Sequence, residues 1–211
     1  FVPNNQDFNN GFNGLPRVDA CYYDVTLAAA GTTTLGSTVE IDKLTIAAIN
    51  GYAIQTGFSL ALACDFRIAA RSAKMGSATL RFGLLPDEGG HYLLVQHLGL
   101  AGALDFMMRQ RIVDAEEAHR LGLVGEVVDD DNLMDQALDL ARELANGPQM
   151  AMRMLKRSIY LAAEQTWAHA LEDIAARTAV TDHHLDAREG GRAFREKRQP
   201  VFNAELDDQS R

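Results

Sequence analysis

The sequence predicts a domain of the α/β class, and three observations lead to this class. Apolar runs at 44–49 and 65–70 have the length and composition of buried strands. FSLALAC, which lies between them, reads as a short apolar helix, so strand and helix alternate along this part of the chain. After about Gly90 the pattern becomes mostly helical. With 47% hydrophobic residues among 211, the chain has the material for one sizeable core.

Local signals define further elements. The run 73–76 is another candidate strand. Asp114 precedes Ala-Glu-Glu, which is typical of a helix N-cap followed by an acidic first turn, and Pro148 suits a first-turn position. Beyond Asp131, apolar residues recur on one helix face. The predicted helices follow Glu88, Leu100, Asp114, Asp131, Pro148 and Asp182.

Composition argues against several classes of function. The net charge of −9, with no basic stripe, disfavours a nucleic-acid partner, and no apolar run reaches the roughly 18 residues of a membrane span. Cys21 and Cys64 suggest neither a disulfide framework nor a zinc site, so we expect no metal and a reducing, cytoplasmic compartment. His183 and His184 are adjacent, and adjacent helical side chains point about 100° apart, too far for one ion.

The clearest functional signal is the turn at 51–57 between the first strand and the apolar helix. A helix N-terminus placed there points backbone N–H groups at one spot beside a buried sheet. Proteins hold anions and developing oxyanions in this way.

The residues around this turn, NGYAIQTGFSLALACDFRIAARSAKMG followed by FGLLPDEGGHYLL, resemble the signature of the crotonase (enoyl-CoA hydratase/isomerase) superfamily. RIVDAEEAHRLGLVGEVVDDDNL, ARELANGPQMAMRMLKRS and DAREGGRAFREKRQPVF follow in the family's order. Four blocks in register are hard to obtain by accident, and the resemblance covers the chain from about Asp42 to Phe202.

The resemblance implies a crotonase-like spiral of ββα units with a helical carboxyl-terminal region, assembled as a trimer or a dimer of trimers. Residues 1–146 would form the core and 147–211 the helical oligomerisation region. FNNGFN at 8–13 looks like a variant of the family's first oxyanion motif, so we expect an incomplete, apparently truncated first repeat. Alternatively, this segment is a polar tail rich in Asn and Gly.

By the same resemblance, the substrate is an acyl-CoA thioester, and coenzyme A enters only as part of the substrate, with no separate cofactor. Backbone amides of Asn10 and Thr56 would stabilise the enolate oxygen. Thr56 stands where the family has the middle glycine of a G-G-G run, so a positive φ there would strain a β-branched residue. The alternative is that 55–57 is a polar turn that caps a helix.

The expected acid/base groups depart from the hydratase pattern. Family hydratases use two glutamates, and the matching positions here are Ser59 and Thr79, whose hydroxyls need a partner to act as bases near neutral pH. Asp87 resembles the catalytic acid of the family's isomerases, with Glu88 as the second candidate. Alternatively, Asp87 only caps the helix that follows. His91, one turn further on, would orient a carboxylate or be structural.

Recognition of coenzyme A would depend on Phe194 and Lys197, which in relatives lie near the adenine and phosphates in a neighbouring subunit's site. They belong to a basic stretch with Arg192, Arg195 and Arg198. Alternatively, Phe194 packs the last helix and Lys197 is merely solvated. Four apolar residues would wall an acyl pocket or belong to an ordinary core: Leu80, Phe82, Leu84 and Leu85.

Three functions remain open. The first is an enzyme that shifts a double bond in an acyl-CoA thioester, with hydration or water loss less favoured. The second is a thioester hydrolase in which Ser59, assisted by His91, attacks the thioester. The third is a catalytically silent acyl-CoA-binding or scaffold protein, which the residues at 56, 59 and 79 favour.

Overall fold

The computed structural model of the protein describes residues 41–85 and 90–204. Contacts divide the described residues into two units, which are treated separately below. Of the described residues, the first contains 41 and 45–138, and the second contains 42–44 and 139–204. The division falls inside a helix, before the predicted boundary after 146, and the oligomerisation role of the carboxyl-terminal region stays a prediction.

The first unit is mixed α/β, as the sequence predicts. In the described residues its strands are β1 (Ile46–Ile49), β2 (Tyr52–Ile54), β3 (Phe66–Ala70), β4 (Lys74–Gly76), β5 (Ile112–Asp114) and β6 (Glu126–Val128). Its helices are α1 (Thr56–Ala63), α2 (Gly90–Met108) and α3 (Ala115–Arg120), and α4 (Leu133–Ala145) carries the division between the units. Short 3₁₀ turns lie at Thr79–Phe82 and Asp130–Asn132.

The predicted strands at 44–49, 65–70 and 73–76 correspond to β1, β3 and β4. One sheet has the order β1-β3-β6 with all pairs parallel, and Ile46 lies opposite Phe66. Every residue of β1 is buried, as expected for a parallel strand that is covered on both faces. The helix α1, which lies between β1 and β3 along the chain, has Ala61 and Ala63 fully buried. Its Phe58 stacks on Phe106 of α2, with ring centroids 5.5 Å apart.

The second sheet has the order β2-β4-β5, in which β2 runs parallel to β4 and β5 runs antiparallel to β4. The sequence predictions do not include β2, β5 or β6, which have three residues each. Strands this short have little periodicity of their own, and their pairing depends on partners far away in the sequence.

The helix predictions are confirmed in part. Asp114 caps α3, because its carboxylate accepts from the N–H of Glu117 at 2.8 Å, and α2 breaks at Gly99 before the predicted helix after Leu100. Pro148 lies at the N-cap rather than in the first turn. The helix predicted after Asp182 is found at Leu185–Glu196 and begins slightly later than expected, because Asp182 is still the last residue of the preceding helix.

The second unit contains α5 (Gln149–Ala162), α6 (Trp167–Asp182) and α7 (Leu185–Glu196). Ser158 of α5 donates to Asp173 of α6 at 2.6 Å, and Arg177 pairs with the same carboxylate at 2.7 Å. The start of α6, where Thr166 is the N-cap, is not among the predicted helix starts. Within the described part of the chain, no helix combines the length and apolar character that a membrane crossing requires.

Gly76 should be sensitive to any added side chain. A Cβ built there would collide with the carbonyl oxygen of Arg111 and lie 2.9 Å from the Cα of Ile112, where β4 and β5 pair. We expect Gly76→Ala to lower the free energy of unfolding by about 1–3 kcal/mol, measured by urea denaturation. Gly125→Ala is the matched control, because its Cβ would meet Arg67 at an ordinary 3.5 Å. Equal stabilities of the two variants would contradict this prediction.

Candidate active site

The turn between β2 and α1 is built on an unusual backbone conformation at Gln55. This residue has φ 57° and ψ −122°, a combination that is essentially restricted to glycine and costs about 1–3 kcal/mol in other residues. Thr56 follows as the first residue of α1 and is not among the residues with positive φ. The strain expected at Thr56 therefore falls one residue earlier, on Gln55.

The backbone of Gln55 is bonded on both sides. Its N–H donates to the carbonyl of Gly76 at 3.2 Å, at the end of the β2–β4 pairing, and its carbonyl accepts from the N–H of Ser59 at 3.0 Å. The second bond closes the first turn of α1. The N–H groups of that turn point out of the amino-terminal end of the helix, where the helix dipole favours negative charge.

The side chain of Gln55 also reaches a second segment of the site. Its Oε1 accepts hydrogen bonds from Ser77 Oγ at 3.0 Å, from the N–H of Ala78 at 3.1 Å and from Thr79 Oγ1 at 2.5 Å. These four residues are called the Gln55 network below. The network joins the predicted oxyanion turn to Thr79, one of the two positions where family hydratases have glutamate.

Ser59 and Thr79 present buried hydroxyls at the predicted acid/base positions. Ser59 is 3% exposed and Thr79 8% exposed. Ser59 lies under the start of α2, because a Cβ added at Gly90 would collide with Ser59 Oγ. Thr79 donates to Gln55 and lies 3.1 Å from Ser77 Oγ. Neither position supplies a carboxylate for proton transfer.

The structure does not bring Ser59 and His91 together as a nucleophile and base. His91 is exposed on α2, whereas Ser59 is buried, and no hydrogen bond joins these two residues. The hydrolase interpretation therefore has no geometric support.

The apolar residues after Thr79 do not form an ordinary core. Phe82, Leu84 and Leu85 are 52%, 60% and 75% exposed, and Leu80 is half-buried. Large exposed apolar side chains grouped in one segment are typical of a surface that contacts a ligand or another protein. The acyl-pocket prediction for these residues stays a prediction.

The predicted coenzyme A residues are both exposed at the end of α7 in the second unit. Phe194 is 85% exposed, so it does not pack its own helix, which contradicts that alternative. Lys197 ends the helix in a left-handed conformation. A groove beside them is lined by residues that include Arg188, Arg192, Arg195 and Arg198.

Glu189 fixes this end of α7. Its carboxylate accepts from Arg198 at 2.6 Å, from the N–H of Val201 at 3.0 Å and from Arg192 at 2.5 Å. These three donors, in that order of importance, hold the pKa of the Glu189 carboxyl far below its ordinary value.

Three predicted site residues, Asn10, Asp87 and Glu88, lie outside the described residues, as do Cys21 and the motif at 8–13. Within the described residues, no three His, Cys, Asp or Glu side chains come together as metal ligands would. The sequence analysis did not identify Gln55 and Ser77 as residues of the candidate site. The signal for Gln55 was available, because glutamine stands at the first position of a turn where the family has glycine.

The described residues thus define an α/β protein in which a strained turn leads from a paired strand into a helix N-terminus, beside buried hydroxyls. The sequence model of the enoyl-CoA hydratase/isomerase family matches residues 19–205, and the chain belongs to this family. The resemblance to the crotonase superfamily is thereby confirmed.

Individual relatives agree with this assignment. The chain is 37% identical over 184 residues to a carnitinyl-CoA dehydratase of Salmonella enteritidis PT4, over 85% of this chain and 70% of that protein. Among solved structures, an enoyl-CoA hydratase from Bacillus anthracis has a TM-score of 0.77 at 33% identity, and one from Polaromonas sp. JS666 has 0.76 at 34%. These two alignments cover 80% of this chain and 65% and 66% of theirs, so the chain spans just under two thirds of these solved relatives.

Glu189→Gln should lower the stability of the fold by an amount that depends on pH. Because folding lowers the pKa of Glu189, the unfolded chain binds the proton first as the pH falls. The stabilisation is therefore present above the ordinary value of 4.5 and is lost as the pH falls below it. We expect the variant to unfold at lower urea than the wild type at about pH 7, and the difference to shrink at about pH 3. A difference independent of pH would contradict this.

Proposed function

We propose that this protein acts on acyl-CoA thioesters and stabilises an enolate at the turn that begins α1. The observation that carries the proposal is the turn geometry at Gln55, which leads into the N-terminus of α1, in a chain that belongs to the enoyl-CoA hydratase/isomerase family. In this proposal the N–H of Thr56 is one donor to the thioester oxygen and that of Asn10 the other. Each such donor is worth about 3 kcal/mol in comparable sites.

Within this chemistry, we propose that the reaction is migration of a double bond with Asp87 as the acid/base. A carboxylate takes a proton from one carbon of the acyl chain, and the electron pair moves into the thioester to form the dienolate. The same group then returns the proton two carbons away as the carbonyl re-forms. The hydroxyls at 59 and 79 support this choice, because isomerisation needs only one carboxylate. Glu88 is the second candidate for the role.

Loss or addition of water is the second candidate reaction. It is favoured by the names of the relatives, which include a carnitinyl-CoA dehydratase and enoyl-CoA hydratases. In water loss, one group removes the α proton while another protonates the departing hydroxyl. Since Ser59 and Thr79 cannot readily supply that second proton, Asp87 and Glu88 would have to share the two roles.

Asp87→Asn should strongly slow double-bond migration. We expect rates about 10²–10⁴-fold below those of the wild type, because the acid/base is lost. The protein is incubated in D₂O with 2-enoyl-CoA, 3-enoyl-CoA and 3-hydroxyacyl-CoA thioesters. Mass spectrometry and NMR then measure three quantities separately: the position of the double bond, the uptake of deuterium, and the addition or loss of water. Glu88→Gln decides between the two carboxylates, and Asp135→Asn on exposed α4 is the matched surface control.

Each outcome of this experiment has a defined meaning. Water exchange in place of bond migration would replace the isomerase proposal with a hydratase or dehydratase. Full activity of Asp87→Asn would exclude Asp87 as the acid/base. Acyl-CoA binding without any conversion in the wild type would establish the silent scaffold and overturn the enzymatic proposal.

We also propose that Phe194 and Lys197 bind coenzyme A in a site completed by a second copy of the chain, within a trimer or a dimer of trimers. The exposure of Phe194 supports this, because an 85% exposed aromatic ring contributes nothing to the packing of its own helix. Glu189 pairs with Arg192 and Arg198, but the four arginines that line the adjacent groove outnumber its two carboxylates, Asp186 and Glu189. The groove therefore provides a local positive charge for phosphates in an otherwise acidic chain.

Phe194→Ala and Lys197→Ala should weaken acyl-CoA binding for different reasons. Loss of the ring removes stacking on the adenine, worth about 1–3 kcal/mol or roughly 5–150-fold in affinity. Loss of the lysine should reduce the salt dependence of binding, because one charge opposite a phosphate disappears. Isothermal titration with an acyl-CoA at two salt concentrations measures both effects. Wild-type affinity in both variants would place the coenzyme A site elsewhere.

A further inference from the structure

The position of Gln55 raises a question that the proposed function does not answer. A glycine adopts φ 57° and ψ −122° without strain, but this chain has a glutamine there. A non-glycine residue persists in such a conformation only when its surroundings determine it strongly. The contacts of the side chain show what these surroundings are.

The carbonyl oxygen of the Gln55 side chain is the shared acceptor of three donors on one neighbouring segment. Ser77 and Thr79 donate through their hydroxyls and Ala78 through its backbone N–H. Ser77 is 6% exposed and Thr79 8%, so these donors are largely shielded from water. An apolar side chain of equal size would fill the space but would leave the buried donors without this acceptor.

The segment of the three donors is itself fixed. Gly76, one residue before Ser77, pairs with Ile54 and Ile112 in neighbouring strands and accepts from the Gln55 N–H at 3.2 Å. Gln55 is therefore attached to the β4 end through its backbone and to the following turn through its side chain. Two attachments on different atoms restrict both the position and the rotation of the peptide that leads to Thr56.

We propose that Gln55 is a positioning residue, whose side chain orients the N–H of Thr56 toward the thioester oxygen by fixing the turn to 77–79. The inference rests on the proposed function, because the orientation has a catalytic consequence only if an oxyanion forms there. Displacement of a catalytic donor by about 1 Å costs up to roughly a hundredfold in rate. In this chain a side chain supplies the restraint on a turn that departs from the glycine run of the family.

Gln55→Met tests the side-chain acceptor, because methionine has nearly the same size and lacks the oxygen. We expect kcat on the converted acyl-CoA to fall by about 10- to 100-fold, with KM changed by less than about threefold, since the donor acts mainly on the transition state. Gln55→Gly, which relieves the backbone strain but also lacks the acceptor, should show the same loss. Gln96→Met, at an exposed site on α2, is the matched control and should keep wild-type kinetics.

Coupling to the donor side gives a second readout. Thr79→Val removes one donor, and its effect on kcat should be smaller in the Gln55→Met background than in the wild type, because both changes break the same contact. Titration calorimetry with an unconverted acyl-CoA should give the same number of sites per chain in every variant, which excludes partial unfolding as the cause. Wild-type kcat in Gln55→Gly, or fully additive effects, would overturn the proposal.

Hydrogen exchange tests whether the Gln55 side chain holds the turn, and this test does not depend on whether the protein is an enzyme. In Gln55→Met, peptides that cover 55–59 and 77–79 should exchange at least about tenfold faster, while those from β3 stay unchanged. If the wild type converts no acyl-CoA, the enzymatic proposal and the catalytic role of Gln55 both fail, although the exchange data still decide whether the side chain holds the turn. Unchanged exchange in both peptides would overturn the positioning role directly.

Discussion

The positive-φ conformation of Gln55 is the constraint on which the proposed site depends, because it turns the chain from β2 into α1 within one residue. A longer turn between β2 and α1 would separate the first residues of α1 from the end of the β2–β4 pair. The hydrogen bond from Gln55 to Gly76 ties this change of direction to the parallel pairing of β2 and β4. The direction of α1, and with it the direction of its first N–H groups, thus follows from strand register. A side chain at Gly76 would strain that register, because β5 approaches closely there.

Much of the first unit could be predicted from sequence because its signals are local. Three features can be explained from a few neighbouring residues each: the apolar runs that form β1 and β3, the apolar helix α1, and the Asp114 cap. β2, β5 and β6 could not be found in this way, since three residues carry no clear period. They become strands only because β4 and β3 supply their partners. The start of α6 was not predicted, although Thr166, whose side chain accepts from the N–H of His169, is an ordinary N-cap.

In the candidate site, too, features set by neighbouring residues could be predicted from the sequence, whereas features set by residues far away in the sequence could not. The resemblance located Thr56, Ser59 and Thr79 by their order along the chain. It could not show that Gln55 carries the strain in place of Thr56, because the backbone conformation of this turn depends on bonds to residues 22 to 24 positions away. When only the motif is considered, a glutamine in place of a glycine suggests that the turn has lost the flexibility it needs. The hydrogen bonds of its side chain show instead that Gln55 connects two segments of the candidate site.

The two halves of the proposed chemistry are therefore separable in this chain. Stabilisation of the oxyanion depends on backbone N–H groups, which any sequence can supply if the turn geometry is kept. Proton transfer depends on side chains, and these have changed at 59 and 79. Hydroxyls in place of carboxylates also alter the electrostatics, because a carboxylate close to an enolate oxygen repels it; any two negative charges about 5 Å apart repel by about 3 kcal/mol at an effective dielectric constant of 20. In the proposed chemistry, neutral hydroxyls at 59 and 79 would not add that repulsion, so the same substitutions that disfavour water addition are compatible with enolate formation by a single acid/base group.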